Sequence, residues 1–517
     1  MVVVGTVVLG YAFLRMMKKQ PQGLPPQATT ALPFLGSTVE LFTKQWHRIH
    51  EWFLEESLRQ GGKAWQLTAL GRPPAIVLTQ ESHFEDVLKT QFDIFEKGPK
   101  TRSFIKDFFG ENGIFALDGA AWRHQRKTAS HLFSHHMMKE IMETVIIEDT
   151  EIVLEKLQSA TVQGSKVEVK LLMDALTTDV FTRIGFGVRL GCLRGDSSNS
   201  EFDGEFHRAF SRCPKVIQAR AQQPVFLWKL KRWLGVGAEK QLMIDMKRIN
   251  GAVFEVIEQC MRCKHGETPK EQDLITLFIA KGGDEANVTP QLIRDMALNF
   301  IAAGRGTTGQ SLAWFLVMMS RHQDVYERVL EEMNEKMPGF VGSRQVPSMD
   351  KVASLTFLEA AIKESLRLNP AAPMNAREAM QDAVLSDGTF IPKGTRVIIP
   401  TYATARFSWM WGDDACEYRP ERWLDDDGKL KQISPFKFLV FHAGPRMCLG
   451  VKLAMLEMKI VLAAIVANFK VELERDAHEI TYDMSLSLPI KGELFARIYP
   501  VPTKHSEKLD GSAACVA

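Results

Sequence analysis

Cysteine is scarce in this sequence, and the few cysteines are widely spaced. The 517 residues include seven, at positions 192, 213, 260, 263, 416, 448 and 515. An odd and dispersed set is typical of thiols in a reducing compartment rather than of a disulfide framework. The Cys260-x-x-Cys263 pair lies in a charged helical stretch without a second pair, which indicates two ordinary thiols rather than a metal or redox site.

An excess of charge of either sign is also missing. Lys and Arg number 64 against 62 Asp and Glu, which gives a net charge of +2. This balance argues against a nucleic-acid-binding protein, whose affinity would depend on neutralising phosphates, although it does not exclude a local basic patch. With 45% hydrophobic and 24% charged residues, the composition is that of an ordinary globular protein.

Repeats, low-complexity segments and long linkers are absent beyond the N-terminal region. From about residue 40 onward the apolar positions follow a helical period. Strand-like segments are short: AIVLT near residue 75, GTRVIIP at 394–400, and SLSLPIKGELFARI near the C-terminus with Pro-Ile-Lys-Gly as its turn. The pattern predicts one large, mainly α-helical domain with small peripheral β-sheets over residues 35–505, followed by a flexible tail at 506–517.

The N-terminus is apolar for fourteen residues, MVVVGTVVLGYAFL, and then becomes basic and Pro-rich. Fourteen residues are few for a membrane span, but Arg15 can snorkel and two methionines extend the stretch. The positive charges follow the apolar run, and no small-x-small cleavage site is present. These features favour an uncleaved signal-anchor over residues 1–17, with a hinge at 18–34 and a cytosolic body, rather than a cleaved signal peptide.

The longest predicted helix begins at the Thr289–Pro290 pair and runs to about His322. At 1.5 Å per residue it is roughly 50 Å long, enough to cross a domain. Its centre contains glycines at positions 304, 306 and 309 and two consecutive threonines. Each glycine costs roughly 1 kcal/mol relative to alanine, so the sequence predicts that the helix opens there for a functional reason.

Residues 441–450, FHAGPRMCLG, place Cys448 just before an apolar helical pattern. The helix N-terminus would lower the pKa of the thiol and favour a thiolate. Gly444 and Gly450 would let the backbone approach a large flat ligand, and Arg446 could pair with an anionic edge such as the haem propionates. A buried cysteine in a tight turn would not explain the spacing of these residues and Phe441.

The pattern Phe441-x-x-Gly444-x-Arg446-x-Cys448-x-Gly450 resembles the haem-binding signature of the cytochrome P-450 family. Further stretches are similar in the family's order: KESLR, RPERW, AWRHQRK and AAPMNAREA. By this resemblance Cys448 would bind haem iron, and the family's buried ion-paired triad would be Glu364, Arg367 and Arg422. The residues that contact the propionates would include Trp122, Arg126 and Arg377.

The long helix resembles the family's oxygen-activating helix, with AGRGTT at its centre. The resemblance places Ala303, Thr307 and Thr308 at the catalytic centre, with the Thr307 hydroxyl near bound dioxygen. Phe300, Ala303 and Thr307 also form one helical stripe. Gly306 stands where the family usually has an acid that relays protons, which predicts less efficient oxygen activation.

The resemblance implies a monooxygenase with haem b and a cysteine thiolate ligand. Electrons would come from NADPH through a separate flavoprotein reductase that docks on the cysteine side. The protein would be a monomer anchored in the endoplasmic reticulum membrane, with its catalytic domain facing the cytosol. A haem-thiolate isomerase or dehydratase, which Gly306 favours, and a non-enzymatic haem sensor are the alternatives.

GIFALDGAAWRHQRKTAS, FLWKLKRWLG and SWMWGDDACEYRPERWLDDDG resemble the fatty-acid omega-hydroxylases of plants and microbes, so a long-chain fatty acid hydroxylated at its terminal carbon is the expected substrate. Alkanes and sterols remain alternatives. The expected apolar channel consists of Phe104, Ile105, Phe300, Ala303, Met374, Leu486 and Leu488.

Charged and amphipathic residues near the expected channel leave two questions open. Arg102 is a candidate partner for a fatty-acid carboxylate or an ordinary solvated arginine. Residues 224–236 form either a second membrane contact, through Phe226, Trp228, Trp233 and Leu234, or a helix that closes the pocket. The sequence favours neither the membrane contact nor the pocket-closing helix.

Overall fold

The computed structural model describes residues 22–133, 137–194, 204–263 and 289–501. The predicted signal-anchor and the predicted tail lie outside these ranges. Among the described residues, no helix combines the length and the apolar character needed to cross a membrane. The long helices are α1 Ile49–Arg59, α2 Gly98–Phe109, α3 Gly119–Ser130, α4 Glu143–Gln163, α5 Val169–Phe186, α6 Gly204–Gln222, α7 Val225–Leu234, α8 Gly237–Cys263, α9 Pro290–Arg321, α10 Gln323–Lys336, α11 Thr356–Leu368 and α12 Val451–Asn468.

Short strands form small sheets beside the helices. They are β1 Trp65–Leu67, β2 Ala75–Val77, β3 Phe95–Glu96, β4 Val167–Glu168, β5 Asn375–Ala379, β6 Ala383–Val384, β7 Phe390–Ile391, β8 Arg396–Ile399, β9 Phe469–Leu473 and β10 Phe495–Pro500. The strand orders are β1-β2-β8-β5-β3, β4-β10-β9 and β6-β7. Short strands beside a predominantly helical body confirm the predicted fold class.

The predicted strands near residues 75 and 394–400 are present as β2 and β8, which pair in parallel. The C-terminal strand prediction is partly wrong, because only Phe495–Pro500 is extended in a sheet. The residues before it are irregular and are tied together by a bridge between Tyr482 and Ile490. Lys491 N also donates to Thr481 O at 2.8 Å, which satisfies backbone groups without a continuous hairpin.

Two clusters of buried side chains form the core. The larger cluster contains side chains of the helices around α9 and α12. The smaller cluster lies under the five-stranded sheet and includes Trp52, Phe53 and Trp65. Half-buried side chains of Leu424 and Phe438 pack against both clusters. The segment leading to the cysteine loop is therefore held between the helical and the sheet-bearing parts.

The ion-paired triad that the resemblance implied is present and buried. Arg367 Nε and Nη2 donate to the two Glu364 carboxylate oxygens at 2.8 and 2.9 Å. Arg422 Nε donates to Glu364 Oε1 at 2.7 Å, and Trp423 Nε1 donates to Oε2 at 2.9 Å. These bonds fasten α11 to residues 420–423, because each buried charge needs partners in place of water.

Helix α9 is continuous, so the prediction that it opens at its glycines is wrong. Thr289 caps it by accepting a hydrogen bond from Leu292 N at 3.2 Å. A Cβ on Gly304 would lie 2.1 Å from the Phe181 ring, and one on Gly309 would lie 2.9 Å from an Asp174 oxygen, both on α5. These two glycines permit the close packing of α9 against α5 rather than an opening of the helix.

Gly304→Ala should lower the free energy of unfolding by about 1–3 kcal/mol, because the Phe181 ring must move to admit a methyl group. Gly306→Ala is the matched control, since the nearest atom to its added Cβ is Gln310 Nε2 at 3.7 Å. That change should raise the free energy of unfolding by about 0.5–1 kcal/mol through helix propensity. Denaturant titrations followed by circular dichroism measure both, and equal effects would contradict the packing explanation.

Helix α7 places the aromatic residues of the 224–236 segment in two environments. Phe226, Trp233 and Leu234 are exposed, Trp233 by 81%. Trp228 is buried, and the Arg220 guanidinium lies 4.5 Å from its ring centre. Trp228 therefore belongs to the interior, and its inclusion in the expected membrane contact is wrong.

Candidate functional site

The loop around Cys448 is built from two short 3₁₀ turns, Leu439–Phe441 and Gly444–Arg446, followed by α12. Cys448 N donates to Phe441 O at 2.8 Å, which closes the loop. Gly444 has φ 65°, and a Cβ there would lie 1.9 Å from Leu88 O. The protein itself thus requires this glycine for contact with residues 86–90, independently of any ligand.

Gly450 is under a weaker constraint than Gly444. It caps α12 with φ −88°, a value open to any residue. An added Cβ would lie 3.7 Å from the Phe133 ring and 4.0 Å from Cys448 Sγ, both ordinary contact distances. Among the residues that the structure describes, none sterically requires glycine at this position.

Cys448 does not have the acidic thiol that the sequence predicted. Desolvation raises its pKa above the ordinary value, opposed by the Gly450 N–H and the Arg126 guanidinium. The helix N-terminus is present, but the loss of hydration outweighs it. A metal that coordinates a thiol deprotonates it outright, so a bound iron would hold Cys448 as a thiolate.

Helix α3 brings Trp122 and Arg126 to the cysteine loop. Arg126 Nη2 donates to Met447 O at 2.6 Å. The Trp122 ring is buried and has two guanidinium groups near it, that of Arg446 at 4.3 Å and that of Arg126 at 5.8 Å. These contacts join α3 and the loop through charge and stacking.

Two more arginines belong to this site: Arg377 on β5 and Arg446 in the Cys448 loop. Arg446 Nη2 donates to Asp118 Oδ1 at 2.7 Å, and Arg377 Nη2 donates to His442 Nε2 at 2.9 Å. The Nε atoms of both arginines are buried and have no hydrogen-bond partner within the described ranges. Burial lowers the pKa of Arg377 to about 9 and that of Arg446 to about 10.

Lys97, Asp118 and His442 belong to this cluster but were not predicted from the sequence. Burial and the two arginines lower the pKa of Lys97 well below its ordinary value. His442 has φ 62°, and burial and the Arg377 charge lower its pKa well below the usual value, so it is neutral. A signal for His442 was available, since it lies inside the ten-residue motif.

The cluster accommodates an anionic ligand. Arg126, Arg377 and Arg446 supply more positive charge than Asp118 and Glu96 balance, and two buried guanidinium Nε atoms lack partners among the residues described. A group with two carboxylates would supply the missing acceptors and relieve the repulsion between the cations. Haem, with its two propionates, fits this donor set.

On α9, the Thr307 hydroxyl donates to Ala303 O at 2.6 Å, so both residues lie on one half-buried face. Thr308 is on a neighbouring face and is buried, being 5% exposed. The structure thus groups Ala303 with Thr307 and separates Thr308 from them. Asn299, one turn before Ala303, accepts a hydrogen bond from Phe115 N at 3.1 Å, which ties α9 to the segment before Asp118.

The expected channel residues are only partly accessible. Leu488 is 1% exposed, and its carbonyl accepts a hydrogen bond from Trp314 Nε1 at 2.8 Å. It therefore lies in the core, and the prediction that it lines the channel is wrong. Phe104 and Phe300 are also buried, whereas Ile105, Met374 and Leu486 are half-buried. Arg102 lies 3.9 Å from Asp118, so a carboxylate already faces it.

Comparison with known proteins agrees with this architecture. A family model described as Cytochrome P450 matches residues 25–496. The chain is 33% identical over 467 residues to cytochrome P450 CYP94D108 of Paris polyphylla, covering 90% of each. It is 31% identical over 508 residues to cytochrome P450 86B1 of Arabidopsis thaliana, covering 93% of this chain and 87% of that one.

A third relative, cytochrome P450 94A1 of Vicia sativa, is 30% identical over 449 residues, covering 85% of this chain and 84% of that one. A helical fold with a cysteine loop beside a basic cluster fits the class of haem oxidoreductases, and the family match shows that class. The chain belongs to the cytochrome P450 family. It is therefore a monooxygenase, and the family implies haem whose iron is bound by a cysteine thiolate.

Proposed function

We propose that this cytochrome P450 hydroxylates long-chain fatty acids at or near the terminal carbon. The observation that carries the proposal is the Cys448 loop, which faces a buried cluster of cations suited to haem. Two observations support the substrate class. Several stretches of the sequence resemble the fatty-acid omega-hydroxylases of plants and microbes, and the relatives reported above come from plants.

In this proposal Cys448 would supply the thiolate ligand of haem b. Arg377 and Arg446 would bind the propionates through their partnerless Nε atoms, supported by Trp122 and Arg126. Phe441, Gly444 and Gly450 would fix the loop that presents the thiol. Bound haem would supply the activation of dioxygen, so that one oxygen atom enters a substrate C–H bond and the other leaves as water, with two electrons from NADPH and two protons.

Thr307 would hold and pass a proton on the dioxygen side, with Ala303 leaving room beside it and Thr308 packed behind. The Thr307 hydroxyl donates to the Ala303 carbonyl, which leaves its oxygen as a hydrogen-bond acceptor. Gly306 offers no acid there.

Thr307→Ala should raise the hydrogen peroxide released per NADPH consumed several-fold, because proton delivery to oxygen slows while reduction continues. Thr307→Ser keeps the hydroxyl and should restore most of the coupling. Gly306→Asp should lower peroxide release relative to the natural chain, since it returns an acid. Peroxide and NADPH are measured together, and unchanged release in Thr307→Ala would contradict this role.

Electrons would reach the haem from NADPH through a separate flavoprotein reductase on the cysteine side, with the protein a monomer in the endoplasmic reticulum membrane facing the cytosol. Residues 1–17 would be the anchor, 18–34 the hinge, 35–505 the catalytic domain and 506–517 a flexible tail. The exposed apolar side chains of α7, Phe226, Trp233 and Leu234, beside Lys229 and Arg232, support a second membrane contact. Recovery of the full chain in the soluble fraction without detergent would contradict the anchor.

The decisive experiment supplies the haem-loaded protein with reductase, NADPH, dioxygen and a panel of fatty acids, alkanes and sterols. Terminal hydroxy fatty acids are the expected products. Sterol oxidation without fatty-acid products would overturn the substrate class, and mid-chain hydroxylation would reject only the terminal position. Conversion of an oxygenated lipid without NADPH or reductase would instead support a haem-thiolate isomerase or dehydratase, the alternative that Gly306 favours.

A further inference from the structure

Asn299, a fully buried residue of α9, holds both ends of the loop at residues 110–114. Its Nδ2 donates to Phe109 O at 2.5 Å, and its Oδ1 accepts a hydrogen bond from Phe115 N at 3.1 Å. Nδ2 also donates to Asp295 O, one turn earlier in α9, at 2.6 Å. All polar atoms of the amide are therefore paired, which makes this hydrophilic side chain stable in the core.

The loop is shaped to rest on α9. A Cβ added at Gly113 would lie 2.2 Å from Asn299 Nδ2, and one at Gly110 would lie 2.1 Å from Asp295 Cγ. Asp295 Oδ2 also accepts hydrogen bonds from N and Nδ2 of Asn112, both at 3.1 Å. The two glycines thus let the loop backbone touch the α9 side chains directly, and the loop has a fixed position on the helix.

The backbone groups that Asn299 binds belong to two phenylalanines that contact each other. The Phe109 and Phe115 rings are half-buried, and their centres lie 5.1 Å apart with the planes inclined at 56°. Phe109 also packs edge-on against the buried Phe108 ring, with the centres 4.8 Å apart. Ring pairs at such separations attract each other. One amide therefore fixes the backbone of both rings, and the rings support each other.

The Phe109–Phe115 pair lies close to the candidate site. Asp118, three residues after Phe115, accepts a hydrogen bond from Arg446 of the basic cluster at 2.7 Å. On α9, Ala303 follows Asn299 by one turn, about 6 Å along the helix axis and on the same face. Phe115 is thus tied on one side to the helical face that carries Ala303, and its segment is tied on the other side to the cations suited to haem.

We propose that Asn299 is a positioning residue for regioselectivity, because it fixes the Phe109–Phe115 pair that restricts which substrate carbon reaches the reaction centre. This inference rests on the proposed function, since it concerns the carbon of that fatty acid that is hydroxylated. A C–H bond of the terminal methyl group is stronger than those of the neighbouring methylene groups, so a loose pocket would favour the neighbours. A displacement of about 1 Å is enough to change the rate at one carbon strongly.

The test measures the ratio of terminal to subterminal hydroxylation of hexadecanoate by the haem-loaded full chain with reductase and NADPH. Asn299→Leu keeps the branched shape of the side chain but removes its three hydrogen bonds. The ratio should fall about fivefold or more, because the ring pair loses its fixed position. Hydrogen exchange of the Phe115 amide, measured by mass spectrometry without substrate, should become about tenfold faster or more, because its acceptor is gone.

Gln125→Leu is the matched control. Gln125 Nε2 donates at 2.7 Å to Asn112 O in the middle of the same loop, so its loss loosens the loop without releasing the backbone of either phenylalanine. This change should lower the thermal stability and leave the product ratio unchanged. Phe115→Leu keeps the backbone hydrogen bond and should lower the ratio as Asn299→Leu does. The double variant should lower it no further than Phe115→Leu alone, because both changes act through one ring.

An unchanged ratio in Asn299→Leu, with faster exchange at Phe115, would overturn the inference. An equal shift in Gln125→Leu, or additive effects in the double variant, would overturn it as well, since Asn299 would then act by another route. If Asn299→Leu does not accumulate as folded protein, an unchanged ratio in Phe115→Leu is sufficient to overturn it. A natural protein that forms no terminal hydroxy acid would instead remove the proposed function itself.

Discussion

Cys448→Ala should reduce monooxygenase activity to background and remove the red-shifted Soret band that a thiolate ligand gives the reduced carbon monoxide complex. The physical reason is the proposed bond from Cys448 to iron, through which the thiolate pushes electron density that favours cleavage of the oxygen–oxygen bond. Activity, the carbon monoxide difference spectrum and the haem content per chain measure the effect.

The same substitution at Cys416 provides the control. Cys416 is an exposed cysteine outside the 441–450 loop, so Cys416→Ala should leave the spectrum and the activity unchanged. A red-shifted band that persists in Cys448→Ala would refute the ligand assignment. Loss of the band in both variants would indicate unfolding, which circular dichroism of the two proteins would reveal.

Glu364→Ala should lower the free energy of unfolding by about 3–5 kcal/mol, because it leaves Arg367 buried without its anionic partner and removes one of the two acids that Arg422 binds. Glu364 is fully buried, and it accepts hydrogen bonds from both arginines, from Trp423 Nε1 and from Arg419 N. Its paired arginines hold its own pKa below the ordinary value, so it stays charged. Denaturant titration monitored by tryptophan fluorescence measures the loss.

The appropriate comparison is Glu421→Ala, in the same short helical turn as Arg422. Glu421 is 44% exposed and pairs with Arg328 at the surface, so its removal should cost about 1 kcal/mol or less. A loss in Glu364→Ala no larger than in Glu421→Ala would show that the buried network adds little stability. If the Glu364 variant does not accumulate as folded protein, Glu364→Gln preserves the shape and tests the charge alone.

The local features of this protein were well predicted from the sequence. The ends of α9 follow from the Thr289 cap, and β2 and β8 follow from short apolar runs. The triad follows from two motifs that lie far apart in sequence but match one family. The C-terminal strand was predicted too long. Backbone hydrogen bonds join the turn at 489–492 to residues 481–483, and no continuous strand ladder forms there.

The candidate site was predicted only in part. The sequence named Arg377 and Arg446, but it could not show Lys97, Asp118 or the neutral state of His442. Those depend on which charges meet after the chain folds. In the same way Leu488 and Trp228 carry the residue types expected of a channel and a membrane surface, yet both are buried.

By itself the sequence determined the helical pattern, the short strands and the family, because periodicity and motif spacing are properties of neighbouring residues. The tertiary structure alone decided why Gly304 and Gly444 are glycines, since Phe181 and Leu88 approach them from other parts of the chain. It also decided that burial raises the pKa of the Cys448 thiol. Desolvation and long-range charge depend on the whole packed fold, and no local pattern encodes them.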